Sequence, residues 1–189
     1  MAATTIHLVR HGETDWNRDR RVQGHADVPL NETGRLQAQA LAIELADVPL
    51  DAAYSSDLSR ARETATIVVA QRALPITTST ALREKHFGTW EGLTDTEVRE
   101  RFRTARGHRW GDGWGDGLGD GETTEAMAKR VVTAIFGIGA AHPASSVLVV
   151  THGGPMRATL RHCDAEDGPI GNCQVVRLTA EDGVLRRVD

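Results

Sequence analysis

The sequence predicts a three-layer α/β/α fold with a mostly parallel central sheet, built as one domain over residues 1–189, and three observations carry that reading. Two short β-branched apolar runs, Thr4–Val9 and Val147–Val150, end alike in the pairs His11-Gly12 and His152-Gly153. Runs of this kind read as parallel strands buried on both faces. Between them helical and strand patterns alternate as β-α-β-α-β, then α-β-α and a closing hairpin, which is the order of a layered α/β protein. Finally, 189 residues at 40% hydrophobic and 25% charged content suffice for one well-buried core.

The elements follow in chain order. Thr4–Val9 is the first strand, and the polar stretch Gly12–Pro29 reads as loop. A helix opens at Asn31-Glu32-Thr33-Gly34, capped by Asn31 or Thr33, with Leu36, Ala40, Leu41 and Leu45 expected on its buried face. Leu50–Tyr54 is a second strand, and Ser55-Ser56-Asp57 leads into a helix over Leu58–Gln71 that turns Ala61, Ala65 and Val68 to the core. Pro75 ends that unit; Ile76–Thr80 is a third strand, and Leu82–Gly92 is a mixed loop. The late helix, Glu122–Ala141, carries an apolar stripe of Met127, Val131, Ile135 and Ile138, and Cys173–Val188 is the terminal hairpin.

Composition excludes several classes. A net charge of −4 offers nucleic acid no general attraction, so any anion site must be local. No basic stretch precedes a long apolar one at the amino terminus, and the weakly polar run Val131–Ala141 is too short to span a bilayer; neither membrane nor secretion is expected. Cys163 and Cys173 make no disulfide framework and no Cys-x-x-Cys pair, which fits a reducing cytoplasm. His7, His25, His86, His108, His142 and His162 form no zinc spacing, although His86 is near enough to Glu84 in sequence to touch a ligand there. The Gly-Asp repeat of 111–122 places Asp112, Asp116 and Asp120 four apart, unlike a calcium loop, and reads as a mobile surface segment. No metal and no cofactor is indicated, and the oligomeric state is not readable from the sequence.

The chemistry is carried by residues at strand ends. In open α/β sheets ligands bind beyond the carboxyl ends of the strands, so neighbouring first and late strands would bring His11 and His152 together. Around them stand Arg10-His11-Gly12-Glu13-Thr14-Asp15-Trp16-Asn17, then Ser56-Asp57-Leu58-Ser59-Arg60-Ala61-Arg62-Glu63-Thr64-Ala65, then Leu82-Arg83-Glu84 and His152-Gly153-Gly154. Taken singly these are ordinary: Arg10 and His11 a surface loop, Arg60 a solvated i, i+3 partner of Glu63, Glu84 a loop carboxylate. In this order, over residues 5 to 178, they resemble the histidine phosphatase superfamily, also called phosphoglycerate mutase-like. Leu82 to Thr94, with Phe87-Gly88-Thr89-Trp90-Glu91-Gly92, is similar to its phosphatase branch.

The resemblance implies a metal-independent phosphomonoesterase acting on small-molecule phosphate esters. His11 would form a covalent phosphohistidine, Arg10 and Arg60 would clamp the phosphoryl oxygens, and His152 would donate to them. Asn17, Gln23, Gly24 and Gly153 would complete the phosphate site, with Glu84 both binding and serving as general acid and base. The two arginines should also keep the His11 ring neutral. Glu84 carries a tension, because a cationic pocket favours carboxylate whereas an acid must hold its proton. The alternatives are a cofactor-dependent phosphoglycerate mutase and an inactive phosphate-binding module. Against the mutase, Asp95 stands in Gly92-Leu93-Thr94-Asp95 where mutases carry lysine and would oppose phosphoglycerate, and Arg99, Arg101, Arg103, Arg106 and Arg109 are dispersed. Residues 93–121 are the candidate lid, with the arginine-rich stretch admitting anions or merely facing solvent.

Overall fold

The computed structural model describes residues 3–102 and 121–188. Strand β1 (Thr4–Arg10) is followed by helices α1 (Asp15–Arg18) and α2 (Glu32–Glu44), β2 (Ala52–Ser56), α3 (Ser59–Val69) and β3 (Ile76–Ser79). Two 3-10 turns, Thr80–Leu82 and Gly88–Trp90, lead to α4 (Asp95–Arg101). Then come α5 (Thr124–Ala141), β4 (Ser146–Thr151), α6 (Gly153–His162) and the hairpin β5 (Val175–Glu181) and β6 (Val184–Arg187). The sheet order is β3-β2-β4-β1-β5-β6. β4 lies between β1 and β2 and parallel to both, β3 is parallel to β2, and the hairpin adds antiparallel pairings at the β1 side. The sheet is thus mostly parallel, as the two apolar runs predict.

Period-two alternation along β4 builds the layers. Val147 and Val149 face a core with Met127, Val131 and Ile135 of α5 and Met156 and Leu160 of α6. Leu148 and Val150 face the other way, onto Leu41, Ala61, Ala65 and Val68 of α2 and α3. All four strand residues are fully buried, each worth roughly 1.5–3 kcal/mol relative to exposure. The register then sets the site: Arg10 pairs with Thr151, so His11 and His152 leave the sheet at one level, and the His11 amide donates to the Thr151 carbonyl at 3.0 Å.

Several boundaries differ from the sequence reading, each for a local reason. In α2 the buried residues are Gly34, Ala38 and Leu41, whereas Ala40 is exposed and Leu36 is 56% exposed. The rotation follows from a backbone contact: a Cβ on Gly34 would lie 2.1 Å from the Glu13 carbonyl oxygen, and one on Gly12 would lie 2.5 Å from the Gly34 carbonyl oxygen. The helix start is pressed against the loop that follows His11, and small residues must face it. β2 runs two residues later than the apolar pattern suggests, with Ser55 and Ser56 fully buried and the Ser55 hydroxyl satisfied by the Ser56 carbonyl at 2.8 Å. The polar stretch after His11 contains α1, whose capping box joins Thr14 and Asn17, and Thr94 with Glu97 caps α4 in the same way. Helix α3 begins without a side-chain cap of its own; Asp27, from the preceding long loop, accepts from the Ser59 amide at 2.7 Å. The Gly-Asp repeat, Arg103, Arg106, Arg109 and most of the candidate lid lie outside the described residues.

Candidate active site

His11 is 3% exposed, and its Nδ1 is 2.7 Å from the Gly12 carbonyl oxygen. A carbonyl can only accept, so Nδ1 carries the ring proton and Nε2 presents a lone pair. Burial first, then Arg60 and Arg10, hold the imidazole well below its ordinary range, and the bond to Gly12 only partly opposes them. The arginines act in the expected direction, but desolvation is the larger cause. His152, fully buried at the start of α6, has its ring centroid 5.1 Å from that of His11, and neither of its nitrogens has a partner among the described residues. The same causes, burial foremost, hold it neutral.

Arg60 is not a solvated helix residue. It is 0% exposed, and its two terminal nitrogens donate to the carbonyls of Gly24 and Ala26, each at 2.8 Å. Glu63 is bound by Arg35 at 2.6 Å instead. Burial pushes the guanidinium down to about 10 while Glu84, Asp27 and Glu91 pull it back, so the cation persists at neutral pH. Gly24 has φ +53°, lies behind Arg60 rather than on the cavity wall, and has no room for a side chain: a Cβ would meet the Glu91 carboxylate at 2.1 Å. The chain of supports continues inward, where Thr64 donates to the Arg60 carbonyl at 2.7 Å and accepts from the Gly12 amide at 3.0 Å. One turn of α3 thereby ties the cation to the His11 loop. Arg10 donates from Nη1 to the Ile170 carbonyl at 2.5 Å, leaving Nε unpartnered.

Glu84 reaches the start of α6 from the opposite side. Its carboxylate accepts from the Lys85 amide at 2.8 Å and the Gly154 amide at 3.1 Å. His25 donates Nε2–H to the Glu84 carbonyl at 2.9 Å, and Glu91 accepts from the amides of His25 at 2.8 Å and Phe87 at 3.1 Å. Glu91 thus joins the loop that braces Arg60 to the loop that carries Glu84. His86 does not reach the cavity: its ring packs 4.8 Å from that of His25, with Nε2 3.8 Å from Glu91. Asp95 likewise is not on the cavity wall and pairs with Arg99 at 2.9 Å on α4.

An open cavity of about 560 Å³ is lined by Arg10, His11, Asn17, Gln23, Arg60, Glu84 and Gly153 among the expected residues, whereas His152, fully buried, packs against His11 and is not on the cavity wall. Its size is that of a small-molecule site. The Asn17 side-chain oxygen is engaged by Thr14 and Asn172, while the Gln23 amide oxygen is buried with no partner among the described residues. The sequence reading missed Phe87, Arg157, Arg161 and Asp167–Ile170 on the wall. Arg157 and Arg161, four apart on the helix that starts at His152, were legible as one face; Ile170 and its neighbours carried no signal. Among the described residues no three His, Cys, Asp or Glu side chains cluster as metal ligands, and no helix is long and apolar enough to cross a membrane.

The family model of the histidine phosphatase superfamily (branch 1) matches residues 6–188. The chain is 38% identical over 159 residues to a metal-independent phosphoserine phosphatase of Arabidopsis thaliana, covering 82% of this chain and 66% of that one. It is 33% identical to a glucosyl-3-phosphoglycerate phosphatase of Mycolicibacterium vanbaalenii, covering 97% of this chain and 88% of that one. Among solved structures, Bacillus stearothermophilus YhfR superposes with a TM-score of 0.87 at 35% identity over 97% of this chain and 95% of that one.

Proposed function

The chain belongs to the histidine phosphatase superfamily and is a phosphatase of it, and we propose that it hydrolyses small phosphomonoesters, without metal, through a phosphohistidine at His11. The observation that carries this reading is the fixed tautomer of His11. Nδ1–H is committed to the Gly12 carbonyl, so the neutral ring presents its Nε2 lone pair in the field of buried Arg60 and half-buried Arg10.

The phosphoryl dianion binds between Arg10 and Arg60, whose forks match its oxygens, with Gln23, Asn17 and His152 around it. His11 Nε2 attacks phosphorus in line with the ester oxygen. The P–O bond breaks, its electron pair goes to the leaving oxygen, and a proton from the Glu84 carboxyl makes the alcohol. Water then attacks the phosphohistidine and gives its proton to Glu84, while the P–N electron pair returns to Nε2. The arriving dianion offsets the charge of the arginines, and the neutral His152 ring donates its one N–H to a phosphoryl oxygen. The two free thiols, Cys163 and Cys173, suit a reducing compartment such as the cytoplasm.

His11→Ala should abolish hydrolysis of an aryl phosphate, and a rapid acid-free quench with labelled substrate should trap an alkali-stable phosphoenzyme on His11 that excess EDTA does not diminish. Full activity in His11→Ala, or strict dependence on added Mg²⁺, overturns the mechanism. Recovery of an isomeric phosphomonoester instead of inorganic phosphate would favour the mutase.

A further inference from the structure

Among the described residues four arginines line the cavity, and their engagements differ. Arg10 and Arg60 are tied to backbone carbonyls and together match the two charges of a phosphoryl dianion. Arg161 is paired with Asp167 at 2.5 Å. Arg157, half-buried on the first turns of α6, has no acceptor or ion-pair partner among the described residues. Its Nη1 lies 3.5 Å, and Arg10 Nε 3.6 Å, from the one point where a Gly153 Cβ would sit. The two guanidinium groups therefore stand side by side on one wall, and of the described arginines on it Arg157 is the one with neither a carbonyl acceptor nor a counter-ion.

We propose that Arg157 is a specificity-determining residue that binds a carboxylate on the organic part of the substrate, close to the ester oxygen. A carboxylate supplies the counter-charge that Arg157 lacks and matches the guanidinium fork, whereas a second phosphoryl dianion would bring two charges to one cation. The cavity has the space, since at about 560 Å³ it takes in Arg161 and Gly168–Ile170 as well as Arg10, Arg60 and Arg157. The proposal rests on the phosphatase reading, which supplies the orientation of the ester.

The test compares phosphoglycolate with its carboxamide, two phosphomonoesters that differ in the one charge. Wild-type kcat/KM should favour the carboxylate by roughly 10- to 100-fold, the worth of one charge-assisted hydrogen-bonded pair. Arg157→Met, which keeps the side-chain stem, should bring that ratio to about one, and Arg157→Lys should restore part of it. Circular dichroism of Arg157→Met establishes folding, and a ratio of two substrates on one protein is insensitive to partial loss of active enzyme. A wild-type ratio near one, or a preference that survives in Arg157→Met, overturns the proposal. If neither ester is hydrolysed, the phosphatase reading fails separately, and calorimetric binding of the two esters to wild type and Arg157→Met then decides the subsite by the same ratio.

Discussion

The mechanism needs His11 and His152 neutral at rest, and that requirement has a stability consequence that can be measured without substrate. Both rings are buried beside Arg10 and Arg60 and held well below 6.5. An unfolded chain has neither burial nor arginine neighbours, so its imidazoles titrate near 6.5. As pH falls through that value the unfolded state takes up protons that the folded state refuses, and stability drains away; above it the two states bind protons equally and stability is flat. If the folded rings take up no proton, the loss between pH 7 and pH 5 reaches its ceiling of about 2 kcal/mol for each histidine, or about 4 kcal/mol for the pair. That is a large part of the 5–15 kcal/mol a domain typically has, and exceeds the extrapolation error of denaturant titrations. Carboxylates held low by their partners, such as Asp57 beside Arg83 and Glu97 on the Thr94 cap, drain stability only at lower pH. His25, lowered mainly by burial, adds a smaller contribution of the same sign. Urea unfolding in phosphate-free buffer at pH 7, 6 and 5 should therefore show wild-type stability falling with acid, and His152→Gln, which cannot titrate, should lose about 2 kcal/mol of that dependence whatever its stability at pH 7. An identical pH dependence in wild type and His152→Gln would mean that His152 titrates normally in the folded protein, and the electrostatic basis assigned to the site would be wrong.

Other consequences are as direct. Glu84→Gln keeps an acceptor for one of the Lys85 and Gly154 amides, which bind different carboxylate oxygens, and cannot protonate a leaving group; alkyl phosphates should lose roughly 10²–10⁴-fold in kcat and nitrophenyl phosphate far less, and equal losses would remove Glu84 from the first transfer. Arg60→Lys leaves at least one of the Gly24 and Ala26 carbonyls buried without its donor; unfolding free energy should drop by about 1–3 kcal/mol and kcat should fall more than KM rises, whereas a pure KM effect would assign Arg60 to ground-state binding. Gly34→Ala drives a Cβ into the Glu13 carbonyl and should cost about 1–3 kcal/mol with a fall in kcat, because the displaced backbone is the His11 loop; a fully active, equally stable variant would show that contact to be unimportant.

What could be read from the sequence was whatever repeats along one element. β-Branched runs announced β1 and β4, and a stripe every three or four residues placed Met127, Val131, Ile135 and Ile138 of α5. The juxtaposition of His11 and His152 followed from strand topology alone, whereas Arg60 and Glu84 were singled out by the order of family motifs, since a loop carboxylate and a helix arginine have no physical mark of their own. Arg60 did have a partial one: with Thr64 it occupies the same helix face as Ala61, Ala65 and Val68, and a polar pair among alanines on a buried face signals a held side chain. The capping box Thr94-x-x-Glu97 was equally legible and marks α4 inside a segment read as lid.

What escaped the sequence reading depends on pairs of residues whose meaning exists only across a distance. Leu36 belongs to the apolar pattern of α2 yet faces solvent, because Gly34 must approach Glu13 and Gly12, and no local periodicity encodes a contact between a helix and a loop more than twenty residues away. Arg157 poses the same problem in charge. It and Arg161 look alike, four residues apart on one face, and both line the cavity. Asp167, beyond the end of the helix, neutralises one and leaves the other to the solvent of the cavity. Selectivity for an anionic substrate therefore rests on which of two equivalent arginines a loop aspartate happens to reach. Asp167→Asn accordingly frees Arg161 as a second cation, and should raise kcat/KM for esters of higher negative charge relative to phosphoglycolate, most clearly at low ionic strength, where exposed charges are least screened. An unchanged ratio at low salt would mean that Arg161 contributes nothing to the field at the ester, and that the pair it forms with Asp167 is a surface ion pair without bearing on selectivity.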